Sequence, residues 1–343
     1  MKELIDKLEE HKNLSPEEWQ LLLDARNEEL SQYLFKRSRA VAQEQFGNGI
    51  YIRGLIEISN FCHNNCYYCG IRKGNKSLHR YRLAKAEILD CCDKGYNLGF
   101  RTFVLQGGED PAFDDNYLAA IVRAIKERYP AVAVTLSVGE KSREVYEKLR
   151  LAGADRYLLR HETYSPGHYA KLHPASMSWE RRHRCLTDLK DLGYQVGTGF
   201  MVGSPYQNNS CLVEDLMFIQ RFRPQMVGIG PFIPHHQTAF AQKPAGSLEL
   251  TLFLLGLLRL MEPRLLLPAT TALNTIDPQG RELGILAGAN VIMPNLSPAY
   301  ACENYQLYDH KKFSGLESAV EIENIKADME KIGYEILVSR GDF

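Results

Sequence analysis

From residue 51 onward, short runs rich in β-branched and aromatic residues alternate with amphipathic segments, and this alternation constrains the fold most strongly. Each β-rich run ends in glycine, small or polar residues before the next helical pattern begins. Such an order predicts βαβ units and a parallel sheet. The runs with strand character cover residues 51–59, 102–106, 132–137, 156–160, 195–201, 226–230, 265–269 and 289–293.

Eight alternating units favour a closed (β/α)8 barrel of the TIM type over an open doubly wound sheet. The helical patterns between the runs cover residues 85–93, 117–128, 143–152, 179–192, 213–222, 248–261 and 280–287. Polar residues at the carboxyl ends of barrel strands face the active site, whatever its chemistry. The barrel hypothesis therefore shows where functional residues are expected.

The chain before the first strand is predicted to be helical. Ser15-Pro16-Glu17-Glu18 forms a capping box with proline at the first helical position, and Trp19, Leu22 and Leu23 follow at helical spacing. No Pro- or Ser-rich linker divides the chain. We expect an N-terminal helical extension at 1–50, the barrel at 51–315, and a closing helix that begins at Leu316 within a C-terminal segment, 316–343.

The charge balance limits the classes of partner that the protein is expected to bind. With 41 basic and 42 acidic residues the formal net charge is -1, which gives no electrostatic footprint for nucleic acid or an anionic membrane. The charged start does not resemble a signal peptide, and the longest apolar stretch, 250–261, contains Arg259 and falls short of the ~20 residues of a membrane span. We expect a cytoplasmic protein with a small or neutral partner.

Three of the eight cysteines lie together in the loop FCHNNCYYCG, as Cys62, Cys66 and Cys69, directly after the first predicted strand. Thiolates suit iron–sulfur clusters or zinc, and three of them leave one position of a tetrahedral iron open. A zinc site completed by His63 or a distant residue is the alternative, although structural zinc sites usually pair two ligand couples. The remaining cysteines are predicted to be core residues, namely Cys91, Cys92, Cys185, Cys211 and Cys302.

Polar groups follow the next strands. The second strand ends in Gln106-Gly107-Gly108-Glu109, where two residues without side chains allow a backbone to approach a ligand closely, and the third ends at Ser137. The alternative for the glycines is an ordinary βα turn. Arg160 and Glu162 are two residues apart, so they face the same side if the fourth strand extends to them.

Further candidates carry open alternatives. Arg182 either holds a carboxylate with its planar fork or lies on a solvated helix face, given the basic run around it. Thr270 and Thr271 end the seventh strand with two hydroxyls suited to an anion inside the barrel. His235 and His236 are candidates for metal or acid–base chemistry, but a histidine pair in a loop is more often partly exposed and structural.

The spacing C-x3-C-x2-C, with Tyr68 before the last cysteine, resembles the radical S-adenosylmethionine (SAM) superfamily. The resemblance implies that the open iron chelates the amino and carboxylate groups of SAM and that the aromatic residue lies near the adenine. It also implies that the glycine-rich segment grips the methionine amino group. A reduced cluster then cleaves SAM to methionine and a 5′-deoxyadenosyl radical. Ile229, between two glycines, would form a platform for the adenine.

Longer segments are similar to the radical SAM maturases that help to build the active-site cluster of FeFe-hydrogenase. They are YIRGLIEISNFCHNNCYYCGIR, TFVLQGGEDP, AGADRYLLRHET, GIGPFIPH, PATTALNTIDPQGRE and AGANVIMPNLSP. The similarity implies that the three cysteines bind a 4Fe–4S cluster and that Gln106, Arg160, Glu162, Arg182 and Met201 line the SAM site. We also expect the cofactor to be bound by Tyr68, Gly107, Gly108, Glu109, Ser137 and Ile229. Thr270, Thr271 and Tyr305 would line a cavity for a small-molecule or iron-complex substrate derived from cysteine.

The same resemblance implies an electron donor, such as a reduced ferredoxin or flavodoxin, and possible contacts with other hydrogenase maturases. The chain departs from the family at two places. No cysteine follows Cys302, and Phe313 stands after YDHKK, so we predict one cluster only; the loop Gly203-Ser204-Pro205-Tyr206-Gln207 also differs. Alternatives are a mutase similar to methylornithine synthase, a sulfur-inserting enzyme similar to biotin synthase, and a non-enzymatic metal-binding scaffold.

Overall fold

The N-terminal part consists of three helices, α1 (Lys2–His11), α2 (Pro16–Asp24) and α3 (Glu28–Phe46). The computed structural model describes residues 1–311 and 318–343. The capping box at the start of α2 is confirmed, because the Glu18 amide donates to Ser15 Oγ at 3.3 Å and the Ser15 amide donates to Glu18 Oε2 at 2.9 Å. Trp19 and Leu22 are fully buried beneath it.

Parallel strands form the centre of the molecule. The strands are β1 (Gly49–Ile52), β2 (Gly54–Ser59), β3 (Thr102–Gly107), β4 (Ala133–Ser137), β5 (Arg156–Leu158), β6 (Gln195–Thr198), β7 (Met201–Val202), β8 (Met226–Val227), β9 (Gly230–Pro231), β10 (Val291–Ile292) and β11 (Glu335–Leu337). Six of them form one sheet in the order β2-β3-β4-β5-β6-β8. The neighbouring pairs within it are all parallel.

Isolated bridges close this sheet into the predicted barrel. Met226 of β8 bridges to Leu266, Pro268 bridges to Val291 of β10, and β10 pairs in parallel with β1, which runs on into β2. The segment 265–269 therefore occupies the seventh strand position through single bridges rather than a continuous ladder. The (β/α)8 barrel is confirmed, with its seventh position the most weakly paired.

Helices surround the barrel. They are α4 (Lys85–Asn97), α5 (Asp115–Arg128), α6 (Arg143–Leu151), α7 (Pro166–Leu172), α8 (Trp179–Asp191), α9 (Asn209–Phe222), α10 (Leu248–Met261), α11 (Thr271–Ile276), α12 (Gly280–Leu286), α13 (Ala299–Asn304) and α14 (Ser318–Lys331). The extension packs onto them, α2 against α9 and α3 against α10. Within the described residues, no helix is long and apolar enough to cross a membrane.

Three short helices and one strand differ from expectation. The sequence pattern did not predict α7, α11, α13 or β11, and Thr271 begins a helix where the end of a strand was expected. The five cysteines outside the triplet are buried, as predicted. The boundary expected between residues 315 and 316 and the predicted helix start at Leu316 lie outside the described residues.

The C-terminal tail, residues 335–343, lies beneath the barrel at the amino ends of the strands. Strand β11 pairs with β1, and Phe343 packs against Met226, Leu266 and Val291. The buried guanidinium of Arg156 donates to Asp342 Oδ1 at 2.6 Å and to the backbone oxygens of residues 340 and 341. The tail thus closes the end of the barrel opposite the cysteine loop.

Candidate active site

A cavity of about 390 Å³ occupies the carboxyl end of the barrel and reaches down between the strands. Every predicted site residue except one lines it: Cys62, Cys66, Tyr68, Cys69, Gln106, Gly107, Gly108, Glu109, Ser137, Arg160, Glu162, Arg182, Met201, Thr270, Thr271 and Tyr305. The exception is Ile229, whose fully buried side chain packs in the hydrophobic core, while Gly228 and Gly230 on either side line the cavity.

The cysteine loop starts one turn after β2 ends and is fixed from both sides. The Asn60 amide group donates to the backbone oxygens of His79 and Asn304, both at 2.8 Å. The Arg80 guanidinium donates to the backbone oxygens of Asn60, Ile71 and residues 72 and 75. These bonds hold a segment without regular secondary structure in one conformation.

The three thiols are partly buried and free. Burial raises the pKa of all three, that of Cys66 well above its usual range and that of Cys69 to about 12. Neutral thiols would then be the resting form of the metal-free site, and binding a cation would displace their protons. Three soft ligands that line the same cavity fit an iron–sulfur cluster that leaves one iron accessible.

The glycine pair makes room for this loop. A Cβ on Gly108 would lie 2.2 Å from the Phe61 carbonyl oxygen and 2.7 Å from Cys62 Cβ, whereas one on Gly107 would come no nearer than 3.3 Å to any atom. Gly108 is therefore required for the cysteine loop to pack against the end of β3. The sequence predicted a close backbone approach here, and the approaching backbone is that of the chain itself.

Arg160 and Glu162 meet at the cavity wall. Arg160 Nη2 lies 3.4 Å from Glu162 Oε2, yet neither atom has a hydrogen-bond partner in the described structure, nor does Arg160 Nε. Strand β5 ends at Leu158, and Glu162 has a φ of 65°, so a turn rather than an extended strand brings the two side chains together. Buried polar atoms without hydrogen-bond partners on a cavity wall fit a polar ligand.

His161, between these two residues, points the opposite way. Its Nδ1 lies 2.8 Å from Thr198 Oγ1 and its Nε2 lies 3.2 Å from Asp215 Oδ1, with all three side chains buried. Asp215 Oδ1 also accepts the Tyr164 amide at 2.5 Å. This network fixes the turn whose flanking side chains reach the cavity, and no local sequence pattern predicted it.

Arg182 is buried rather than on a solvated helix face. Its Nε donates to Glu140 Oε1 at 2.6 Å and its Nη1 donates to the Arg160 carbonyl at 2.7 Å. The Arg182 guanidinium thus holds a carboxylate, which was one of the two expectations. The carboxylate is that of Glu140 rather than of a ligand. Arg182 couples α8 to the segment that carries Arg160.

Tyr68 is held by a histidine that sequence reasoning missed. His173 Nδ1 lies 3.0 Å from the Tyr169 carbonyl oxygen, which can only accept, so this nitrogen carries the ring proton. His173 Nε2 is then the acceptor for the Tyr68 hydroxyl at 3.2 Å. Burial lowers the pKa of His173 to about 3, so the ring stays neutral near pH 7. The arrangement fixes the position of the Tyr68 ring within the cysteine loop.

A strap formed by residues 299–311 crosses the mouth of the barrel. Its Tyr305, Leu307, Tyr308 and Lys311 line the cavity, and the Leu307 carbonyl accepts the Gly70 amide at 2.8 Å. Deeper, the Lys311 ammonium pairs with the buried Glu57 carboxylate, which also accepts Asn295 Nδ2 at 2.8 Å. Tyr305 was expected at the cavity, whereas the Glu57–Lys311 pair was not, because its members are far apart in the chain.

The cavity floor is polar as well. Arg53 lines it and is buried, with Nη2 3.4 Å from the Gly341 carbonyl and with no hydrogen-bond partner for Nε in the described structure. Thr270 Oγ1 and Thr135 Oγ1 also have no partner among the described residues. Burial holds the pKa of Arg53 well below its usual value. These unused groups mark space for a polar ligand below the cysteine loop.

The histidine pair differs from expectation. His235 is buried, only His236 is exposed, and Asp309 Oδ1 lies 2.6 Å from His236 Nδ1. His235 Nδ1 accepts the Gln237 amide at 3.0 Å, so the proton of a neutral ring sits on Nε2. The two rings stack at 4.5 Å with 15° between their planes, so their nitrogen lone pairs do not converge on one point. This geometry does not favour a metal ion.

A barrel with three cysteines in the loop after β2 is the arrangement expected of a radical SAM enzyme. The model of the radical SAM superfamily matches residues 56–219. The solved structure of methylornithine synthase (PylB) superposes with a TM-score of 0.85 at 26% identity, covering 97% of both chains. The chain belongs to the radical SAM superfamily and is an enzyme whose cofactors are a 4Fe–4S cluster and SAM.

Within this superfamily, the chain is similar to the [FeFe] hydrogenase maturase subunit HydE of Thermotoga maritima, with 45% identity over 310 residues, 90% of this chain and 88% of the relative. It is also 30% identical to 3-methylornithine synthase of Methanosarcina barkeri over 306 residues, 89% of this chain and 86% of that protein. A solved structure of the hydrogenase maturase HydG shares the fold, with a TM-score of 0.83 at 23% identity.

Proposed function

We propose that this enzyme is an FeFe-hydrogenase maturase of the HydE type, which acts on a cysteine-derived, iron-bound substrate inside the barrel. The observation that supports it most directly is 45% identity to the Thermotoga maritima maturase over 90% of the chain. The departure at the loop 203–207 leaves the cavity residues in place, because this loop lies outside the cavity lining.

In this proposal Cys62, Cys66 and Cys69 hold the cluster. When bound, the cluster and SAM supply one-electron cleavage to a 5′-deoxyadenosyl radical. The chain binds and orients SAM: Tyr68 and the backbone around Ile229 contact the adenine, while the wall residues hold the remaining groups, namely Gln106, Gly107, Gly108, Glu109, Ser137, Arg160, Glu162, Arg182 and Met201. The unused hydrogen-bonding atoms of Arg160 and Glu162 support this assignment.

The substrate occupies the deeper part of the cavity, near Thr270, Thr271 and Tyr305. The partnerless Thr270 hydroxyl supports a polar ligand there, and Arg53, whose Nε also has no partner in the described structure, lines the floor of the same cavity. The strap keeps water from this region, which protects a radical intermediate. A reduced ferredoxin or flavodoxin supplies the electron, and the product passes to other maturases. We also propose the division into 1–50, 51–315 and 316–343.

Maturation itself tests this function. Anaerobically reconstituted protein should restore hydrogen evolution when it is added to FeFe-hydrogenase apoprotein with all maturation components except the HydE-type subunit. Cys66→Ser should lose both the cluster absorbance and the formation of 5′-deoxyadenosine. Turnover of SAM without any restored hydrogenase activity would overturn the maturase assignment.

A mutase is the second candidate. It is supported by 30% identity to 3-methylornithine synthase and by the superposition on PylB. Mass spectrometry of the products separates the two, because a mutase forms 3-methylornithine and restores no hydrogenase activity. Protein that keeps cluster colour but forms no 5′-deoxyadenosine would instead be a binding scaffold.

A further inference from the structure

The segment that carries the cysteines has an unusual charge. Residues 61–86 contain six lysines and arginines and no aspartate or glutamate, in a chain that balances 41 basic against 42 acidic residues. The Arg80 guanidinium donates to backbone oxygens and Arg82 forms an ion pair with Asp110, whereas Lys73 and Lys76 are exposed. The Lys73 amide donates to the Asn64 carbonyl at 2.8 Å, which places Lys73 against the cysteine loop.

Three of the segments that pack around this loop also lack carboxylates, whereas Glu109, which contacts His63, lines the cavity. Residues 165–178, 202–213 and 228–248 contain no aspartate or glutamate. The Tyr67 amide donates to the Leu172 carbonyl at 3.0 Å, and the Tyr67 ring lies 6.3 Å from that of Phe240. Phe240 in turn lies 6.1 Å from Tyr206. A continuous aromatic row therefore runs outward from the residue after Cys66.

The row ends at the surface between two lysines. Tyr206 is 54% exposed, and the ammonium groups of Lys171 and Lys243 lie 5.3 and 5.1 Å from its ring centre. We call Lys73, Lys76, Lys171, Tyr206 and Lys243 the loop face. Within the described parts of the chain, none of its lysines lies within ion-pair distance of a carboxylate.

We propose that the loop face is the docking surface for a small acidic redox protein that reduces the cluster. This rests on the cluster being held by Cys62, Cys66 and Cys69, as in the proposed function. The donor, with a flavin or an iron–sulfur centre, loses one electron and the cluster gains it. An unpaired cationic patch steers an acidic partner, and an exposed tyrosine among lysines suits the centre of an interface.

The aromatic row indicates where the donor docks relative to the cluster site. Tyr67 is the neighbour of Cys66 in the chain, and its ring starts the row that reaches Tyr206, so a donor on the loop face stands over the outer side of the cysteine loop. Neither Tyr67 and Phe240 nor any residue of the loop face lines the cavity. Docking at this surface therefore leaves the space for SAM and substrate free.

Charge reversal on the reconstituted holoenzyme tests the proposal. The triple variant Lys73→Glu, Lys171→Glu, Lys243→Glu should lower the second-order rate of cluster reduction by flavodoxin hydroquinone at least tenfold at low ionic strength, and the wild-type rate should fall with added salt. Lys36→Glu, which reverses an exposed lysine on α3, should change the rate less than twofold. Reduction by dithionite should be the same in all three proteins.

The outcomes separate this proposal from the proposed function. Titration of oxidised flavodoxin into holoenzyme measures docking without turnover, so an enzyme that bound flavodoxin through the loop face but restored no hydrogenase activity would overturn only the maturase assignment. An unchanged flavodoxin rate in the triple variant, an equal loss in Lys36→Glu, or a salt-independent wild-type rate would overturn the docking surface. Binding of single-stranded DNA that competes equally with flavodoxin would overturn its specificity for a redox protein.

Discussion

His161 Nε2 lies 3.2 Å from Asp215 Oδ1, and both side chains are fully inaccessible to solvent. The contact joins α9, on the outside of the barrel, to the turn that carries Arg160 and Glu162 into the cavity. Burial lowers the pKa of His161 to about 3 and raises that of Asp215 well above its usual range. In the native protein, the aspartic acid therefore keeps its acidic proton, and the imidazole is neutral with a single N–H.

Asp215→Asn should make the protein acid-labile. In the unfolded chain, histidine titrates near 6.5 and aspartate near 3.8, so between about pH 4 and 6.5 both states of the wild type bind one proton at this pair and stability does not change with pH. Without Asp215, only unfolded His161 takes up a proton in this window. The free energy of unfolding should then fall by about 2 kcal/mol between pH 6.5 and pH 5.

His161→Gln is the matched opposite. Native Asp215 keeps its proton while the unfolded aspartate loses it above pH 4, so the stability of this variant should fall as the pH rises. Guanidinium unfolding at several pH values measures both slopes. Profiles parallel to that of the wild type in both variants would contradict the assigned proton positions.

Gly108→Ala should damage the cluster site, because the new methyl group would lie 2.2 Å from the Phe61 carbonyl oxygen and backbone has to move. We expect a loss of about 1–3 kcal/mol in stability and a lower iron content after reconstitution. Gly107→Ala is the control, since its nearest contact is 3.3 Å. Equal iron content in the two variants would show that the loop tolerates the displacement.

Arg182→Ala should cost about 3–5 kcal/mol in unfolding free energy, because it leaves the buried Glu140 carboxylate without its closest partner. Arg181→Ala removes the other cation that contacts Glu140, but Arg181 is 65% exposed, so its loss should cost less than about 1 kcal/mol. Thermal unfolding compares the two. Similar losses would mean that Glu140 does not depend on the buried partner.

Reconstituted protein should contain about four iron and four sulfide per chain, as a single cubane requires. The five cysteines outside the triplet are buried, and burial raises the pKa of Cys91 and of Cys302 to about 12 and that of Cys92 well above its usual value. Iron and sulfide analysis checks the number. Values near eight would show a second cluster and contradict the prediction.

The order of strands and helices, and the place of the site, could be predicted from the sequence because both depend on local periodicity. The cysteine loop, the QGGE segment and the RHET segment all follow strands, so a barrel necessarily brings them to one end. Short helices such as α7 and α13 were missed because they lie in polar rim segments with little hydrophobic pattern. Seven and six residues carry too few apolar positions to show a period.

The contacts that could not be predicted from the sequence are those between residues far apart in the chain. Nothing near Arg182 shows that Glu140 holds it, and nothing near Glu57 indicates Lys311, 254 residues away. His235 is buried because Gly70 leaves space for its ring: a Cβ there would lie 2.3 Å from His235 Cδ2. A local sequence pattern cannot show this space, because Gly70 and His235 are far apart in the chain.

The C-terminal tail beneath the barrel affects the order of events in catalysis. Phe343 and the bonds from Arg53 and Arg156 to residues 341 and 342 close the lower end of the cavity. In the proposed function, substrate binds deeper in the cavity than SAM, and both molecules enter at the carboxyl end of the barrel. The deeper molecule must therefore enter first and leave last, so the enzyme should follow an ordered sequential kinetic scheme in which methionine and 5′-deoxyadenosine depart before the product.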